Sequence, residues 1–281
     1  MLLGPGLASG ATLMDVRGAT IALAVPPTRI VSLVPSVTEL VFALGGEARL
    51  VGITDYCDFP PAARRKPSVG GMVAPSLEAI VALRPDVVVA TDSGNRQETV
   101  DQLRRLGIAV YLVRADRFAD VLDVAMRIGQ LLGREPAAVA LTARLQARVD
   151  AVARAVGRRP RPRVLYVVWP EPLIVPGRDA IVTELIQLAG GASITAAEPG
   201  DYPRFSIEAA VVRAPEVIVL ARHGTDSVPL GRDLWNALTE LPAVKTGRVH
   251  GVDGGLLHRY GPRVVDGIEH LARLLHPEAF P

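Results

Sequence analysis

Short, unbroken apolar runs alternate along the chain with stretches in which apolar residues recur every three or four positions. The runs RIVSLV from Arg29, LVGIT from Leu50, DVVVA from Asp86, RVLYVV from Arg163 and VIVLA from Val217 are too short and too continuous for surface helices. They read as strands buried on both faces, as in parallel sheets. With periodic, helix-like segments between them, the chain is predicted to be an α/β protein. One periodic segment is long: residues 136–157 carry Leu141, Leu145, Val149, Val152 and Val156 at spacings of four or three. About 20 such residues make a helix of roughly 30 Å, stopped by Gly157 and the Arg-Arg-Pro-Arg-Pro break that follows.

The pattern is duplicated. Ser76–Ala90 (SLEAIVALRPDVVVA) returns 130 positions later as Ser206–Leu220 (SIEAAVVRAPEVIVL), with seven of fifteen positions identical. Each copy predicts a serine N-cap, an acid in the first turn, two turns of helix, a proline break and a buried strand. A second echo keeps the same order: Thr38-Glu39-Leu40 leads to Gly45-Gly46, as Thr183-Glu184-Leu185 leads to Gly190-Gly191. The expected architecture is therefore two Rossmann-like α/β lobes joined by a single long connecting α-helix. Its divisions are an N-terminal segment (1–27), a first lobe (28–135), the helix (136–158) and a second lobe (159–281). Ligands of such proteins bind outside the carboxyl ends of the strands, here in a cleft expected between the lobes.

Composition narrows the function. Of 281 residues 31 are Lys or Arg and 29 Asp or Glu, giving +2 overall with no basic cluster, so nucleic acid is not an expected partner. Only two of the basic residues are lysines, Lys66 and Lys245. Cys57 is the one cysteine, so neither an intrachain disulfide nor a thiolate metal cage can form. No apolar stretch is long enough to span a bilayer. Met1–Leu13 reads either as the trimmed tail of a secretion signal or as a frayed terminus. The nucleophile-elbow, zincin, phosphate-loop and dinucleotide glycine signatures are all absent, so no catalytic residue is expected.

Aromatic residues are only 4% of the chain, yet Tyr56, Trp169, Tyr202 and Tyr260 fall in the loops after strands. They read either as anchors for their own loops or as faces for a large flat ligand. Trp235, on an amphipathic helical pattern, reads as core. His223 and His258 fall on the same loops, as polar loop residues or as ligands to a chelated metal; no protein-only metal site is expected. Glu78 and Glu208 favour their helix N-termini electrostatically. As one acid at the same place on each lobe, they would also make a two-point surface for the arginines of a two-fold membrane partner.

The motifs PTRIVSLVPSVTELVFALG, VGITDYCDFPPAA, SVGGMVAPSLEAIVALRPDVVVA and LTELPAVKTGRVHGVD, together with the long helix, resemble the class III substrate-binding proteins of bacterial ABC importers, which carry cobalamin, siderophores and haem. The similarity is greatest to the cobalamin-binding members. It implies a non-enzymatic, monomeric receptor outside the cytoplasm, periplasmic or at the cell surface, its signal peptide missing from this sequence and its partner an ABC permease dimer. No covalently bound cofactor is required; the cargo is cobalamin or a related corrinoid, with haem or an iron siderophore as the alternative. A corrinoid-modifying or metal-dependent enzyme is the alternative of another class. Carried over by position, Tyr56 and Tyr202 match aromatic contacts to the corrin and Glu78 and Glu208 match permease-docking glutamates. Tyr202 and Met72 each stand where a tryptophan is expected, and a methionine can still pack on a macrocycle through its sulfur. Trp169 matches no contact of the family but borders the same cleft. Ser36, Asn95, His223 and His258 are candidate polar contacts.

Overall fold

The computed structural model describes residues 10–24, 26–222 and 231–280, and the chain separates into two compact units. Unit 1 takes the residues up to 115 together with 119–143; unit 2 takes 116–118 and everything from 144 onward.

Unit 1 opens with β1 (Gly10–Met14) and β2 (Thr20–Ala24), an antiparallel hairpin. There follow β3 (Ile30–Ser32), α1 (Pro35–Ala43), β4 (Leu50–Ile53), α2 (Leu77–Ala82), β5 (Val87–Thr91), α3 (Gln97–Arg105), β6 (Ala109–Val113) and α4 (Phe118–Leu132). The sheet has the order β4-β3-β5-β6 with every neighbour parallel. Its valine-rich centre is buried because both faces are covered: Val31, Val88, Ala90, Val110 and Leu112 share one core with Ile80 of α2 and with Val100 and Leu103 of α3.

Residues 10–24 of the N-terminal segment form the hairpin, and it packs on unit 1. Leu13 is buried, Val16 N–H donates to Leu112 C=O of β6 at 3.1 Å, and the buried Asp15 carboxylate ion-pairs with Arg104 of α3 at 3.3 Å. A two-residue alternation of small and apolar residues around a Gly18 turn carries too weak a periodicity to announce a hairpin on its own.

The predicted long helix is α5 (Glu135–Val156), and Leu141, Leu145, Val149, Val152 and Val156 are all buried. Gly157 ends it at φ +59°, a conformation that carries no Cβ penalty for glycine.

Unit 2 continues with β7 (Arg163–Val167), β8 (Trp169–Pro170), β9 (Leu173–Ile174), α6 (Ile181–Leu188), β10 (Ala192–Ser193), α7 (Ile207–Val212), β11 (Val217–Arg222), α8 (Arg232–Asn236), α9 (Pro242–Lys245), β12 (Val249–Asp253), α10 (Gly254–His258) and α11 (Val264–Leu275). Its parallel sheet runs β10-β7-β11-β12. Trp235 is fully buried in its core. Arg148 of α5 binds α11 through Asp266 at 2.6 Å and Glu269 at 2.8 Å.

Counted from the first strand of each sheet, both units have strand order 2-1-3-4, and the duplication persists to single hydrogen bonds. Ser76 Oγ accepts from Ala79 N–H at 3.1 Å, and Ser206 Oγ from Ala209 N–H at 3.0 Å. Both helices end at a residue of positive φ, Arg84 at 43° and Ala214 at 46°. The Asp86 carboxylate accepts from Arg29 N–H at 2.9 Å, while that of Glu216 accepts from Arg163 N–H at 2.8 Å. Each acid thus ties the helix-to-strand turn to the start of the strand beside it.

Candidate functional site

In a 2-1-3-4 parallel sheet the connections leave in opposite directions at the carboxyl ends of strands 1 and 3, opening a crevice there. In unit 1 that point lies between β3 and β5, and Asn95 spans it. Thr91 N–H donates to Asn95 Oδ1 at 2.8 Å, and the Asn95 amide donates to Leu33 C=O at 3.3 Å and to Met72 C=O at 2.7 Å. Asn95, a candidate polar contact, thus ties together three backbone segments, among them the loops that carry Ser36 and Met72.

Met72 lies over Gly94, where an added Cβ would come within 2.7 Å of its Cε; glycine leaves room for the thioether. Ser36 is buried in the first turn of α1. Tyr56 is 60% exposed, in the turn after β4. Beneath it the buried Cys57 thiol meets Thr38 Oγ1 at 3.1 Å and Thr54 Oγ1 at 3.2 Å, and Asp55 N–H donates to Gly70 C=O at 3.0 Å. The turn is anchored while the ring is left to solvent.

In unit 2, Trp169 sits in β8 rather than in an irregular loop, paired with Ile174 in a short hairpin. Its Nε1 donates to Glu171 C=O at 2.9 Å, leaving the residue 42% exposed. The Tyr202 and Tyr260 hydroxyls hydrogen-bond to each other. Below them Tyr166, fully buried, meets His258 Nε2 at 3.1 Å with the rings edge-on at 75°. His258 is thereby engaged with Tyr166, a partner that looks in the sequence like an ordinary strand core residue. His223 lies outside the described residues.

Burial pushes the phenol of Tyr166 well above its ordinary range, reinforced by the negative charge of Asp253. Although Tyr202 is 38% exposed, its hydroxyl ends against Tyr260, and burial there pushes it up too. Tyr260 is raised further, by burial first and then by Tyr202. All three phenols stay protonated at neutral pH, so the cluster is an uncharged, hydrogen-bonding aromatic surface.

Glu78 and Glu208 are both exposed, in the first turns of α2 and α7. Among the described residues no group of three or more histidine, cysteine or acidic side chains could hold a metal ion, and no helix is long and apolar enough to cross a membrane.

Residues 30–254 match the periplasmic binding protein family. The chain belongs to it. This periplasmic binding protein is 29% identical over 276 residues to an uncharacterized ABC transporter substrate-binding lipoprotein of Bacillus subtilis, covering 96% of this chain and 86% of that protein. Its structure is similar to that of the periplasmic vitamin B12-binding protein of Vibrio cholerae, with TM-score 0.79, 26% identity and coverage of 91% of this chain and 99% of that one. It is equally similar to a periplasmic haem-binding protein of Pseudomonas aeruginosa, with TM-score 0.80, 30% identity and coverage of 91% and 95%. The periplasmic binding protein described here is a substrate-binding protein of class III, of the kind that serves ABC importers.

Proposed function

We propose that the chain captures cobalamin or a related corrinoid on the carboxyl-edge loops of its two units and delivers it to the permease outside the cytoplasm, as a monomer, with Glu78 and Glu208 as docking points. The observation that carries this reading is the concentration of exposed ring surface on those loops. Tyr56, Trp169 and Tyr202 are 60%, 42% and 38% exposed in a chain with 4% aromatic residues, and Met72 adds a polarizable sulfur. The vitamin B12-binding relative supports the corrinoid, and the lipoprotein relative supports the location.

One observation favours a second reading, haem. The Tyr202–Tyr260 pair presents phenol oxygens, and a tyrosine oxygen is a competent axial ligand to haem iron. Titrating the purified protein with cyanocobalamin and with haemin, followed by absorbance and calorimetry, decides between them. Saturable one-to-one binding of cyanocobalamin alone is the expected result. Binding of haemin alone, with a shifted iron-porphyrin spectrum lost in Tyr202→Phe or Tyr260→Phe, establishes the second reading. Binding of neither ligand removes both.

A further inference from the structure

The hairpin β1–β2 carries no candidate ligand contact, yet its turn grips the loop after β5. Arg17, at the tip of the turn, hydrogen-bonds through its guanidinium to the carboxylate of Asp92 and to the side-chain oxygen of Gln97. Arg114 at the end of β6 approaches the second oxygen of Asp92 at 3.5 Å. Asp92 is the first residue after β5; its side chain is only 13% exposed, and its N–H donates to Val113 C=O at 2.9 Å. Three residues on stands Asn95, which holds Met72.

The turn itself is braced to deliver Arg17. Asp15 Oδ1 accepts from the N–H groups of Arg17 and Ala19, each at 2.9 Å, an aspartate-nucleated turn. Gly18 supplies its φ of +76°. The hairpin is held from below as well: the carbonyl of Met14 accepts from Arg127 of α4 at 3.2 Å and from the hydroxyl of Tyr111 at 3.4 Å. A guanidinium carried on so constrained a turn and directed at a largely covered carboxylate fixes a position. The Arg17 side chain is itself 42% exposed, so the fixing comes from the braced turn and the covered carboxylate and not from burial of the pair.

We infer that Arg17 is a positioning residue for ligand capture: through Asp92 it holds residues 91–95, and hence Asn95 and Met72, in the binding geometry. The inference rests on the proposed function only in taking those loops as the ligand site. It makes the N-terminal hairpin part of the binding apparatus.

The test compares the full chain with Arg17→Ala, Arg17→Lys and Asp92→Asn. Hydrogen exchange at the Asp92 and Asn95 backbone amides of the ligand-free protein is expected to quicken about tenfold in Arg17→Ala. If the loop then keeps its geometry a third to a tenth of the time, the apparent affinity for whichever of cyanocobalamin or haemin the parent protein binds falls about three- to tenfold. Arg17→Lys is expected to recover part of both effects, and the double variant Arg17→Ala/Asp92→Asn to lose little more than either single one. Unchanged exchange at 92 and 95 overturns the inference, as does quickened exchange with unchanged affinity. A thermal unfolding loss with neither change marks Arg17 as structural only and overturns it too. Should the parent bind neither probe, the functional reading fails, and the exchange result alone decides whether Arg17 positions the loop.

Discussion

The Tyr202 and Tyr260 hydroxyls share one hydrogen bond across 58 positions of sequence. Tyr260 is held there with a φ of +49°, an uncommon backbone for a non-glycine residue. Both phenols have folded-state pKa values above the unfolded value of about 10. A raised folded pKa means that the stabilisation is complete below the unfolded pKa and is lost as pH rises through the folded one. Stability is therefore expected to fall as pH climbs above about 10. Tyr260→Phe, which removes one of the titrating groups, is expected to show a shallower alkaline decline in thermal unfolding.

Trp169 and Tyr202 are exposed enough that truncation leaves the core intact. In a buried complex each alanine substitution is expected to weaken ligand binding by about 2 kcal/mol, close to thirtyfold, with thermal stability changed by about 0.5 kcal/mol or less for Trp169→Ala and lowered by about 1 kcal/mol for Tyr202→Ala, which leaves the Tyr260 hydroxyl without its partner. Calorimetric titrations with unaltered affinity for both variants would remove this surface from the binding site.

Glu78 and Glu208 occupy equivalent exposed places on α2 and α7. Val81 and Val211, one helical turn beyond each, are also exposed, at 43% and 41%. Charge reversal at either glutamate is expected to slow permease-dependent uptake roughly tenfold, and at both by considerably more, through loss of charge-assisted contacts to the partner. Ligand affinity is expected to stay as in the parent, and stability to fall by no more than about 1 kcal/mol per site, because the reversed charge opposes the helix N-terminus. Uptake by cells or vesicles carrying the permease is the measurement, and normal uptake by the double variant refutes docking at these acids.

Asp86 is held below the ordinary carboxylate range. Burial opposes the charged form, but the hydroxyl of Thr28 and the N–H groups of Thr28 and Arg29, at 2.7–2.9 Å, outweigh it. A depressed folded pKa gives stability that is present above the unfolded value of about 3.9 and lost as pH falls through the folded one. Asp86→Asn is expected to destabilise unit 1 by about 1 kcal/mol at neutral pH, and the difference from the parent should shrink in unfolding curves measured below about pH 4.

Asn95→Ala is expected to be more damaging, because it strands the carbonyls of Leu33 and Met72 and the N–H of Thr91. A loss of about 1–3 kcal/mol is expected in denaturant unfolding, together with weaker ligand binding as the Met72 turn loosens.

The features legible in the sequence are those set by near neighbours in the chain. Ser76 and Ser206 cap their helices through residues three positions on, the stripe from Leu141 to Val156 announces α5 by its own spacing, and the valine runs of β5 and β11 require covered faces. Two copies of such local instructions were enough to specify a duplicated α/β chain, and the family motifs to point to its kind. The partners of the site residues were decided by the tertiary structure. Asn95 meets Leu33 across 62 positions, His258 meets Tyr166 across 92, and Arg17 meets Asp92 across 75. Such pairings arise when parallel strands bring distant loops to one sheet edge, so no local period records them. The same side chain can bind a ligand or brace a loop, and its type does not say which. Only the position of the next strand's carbonyl or phenol does.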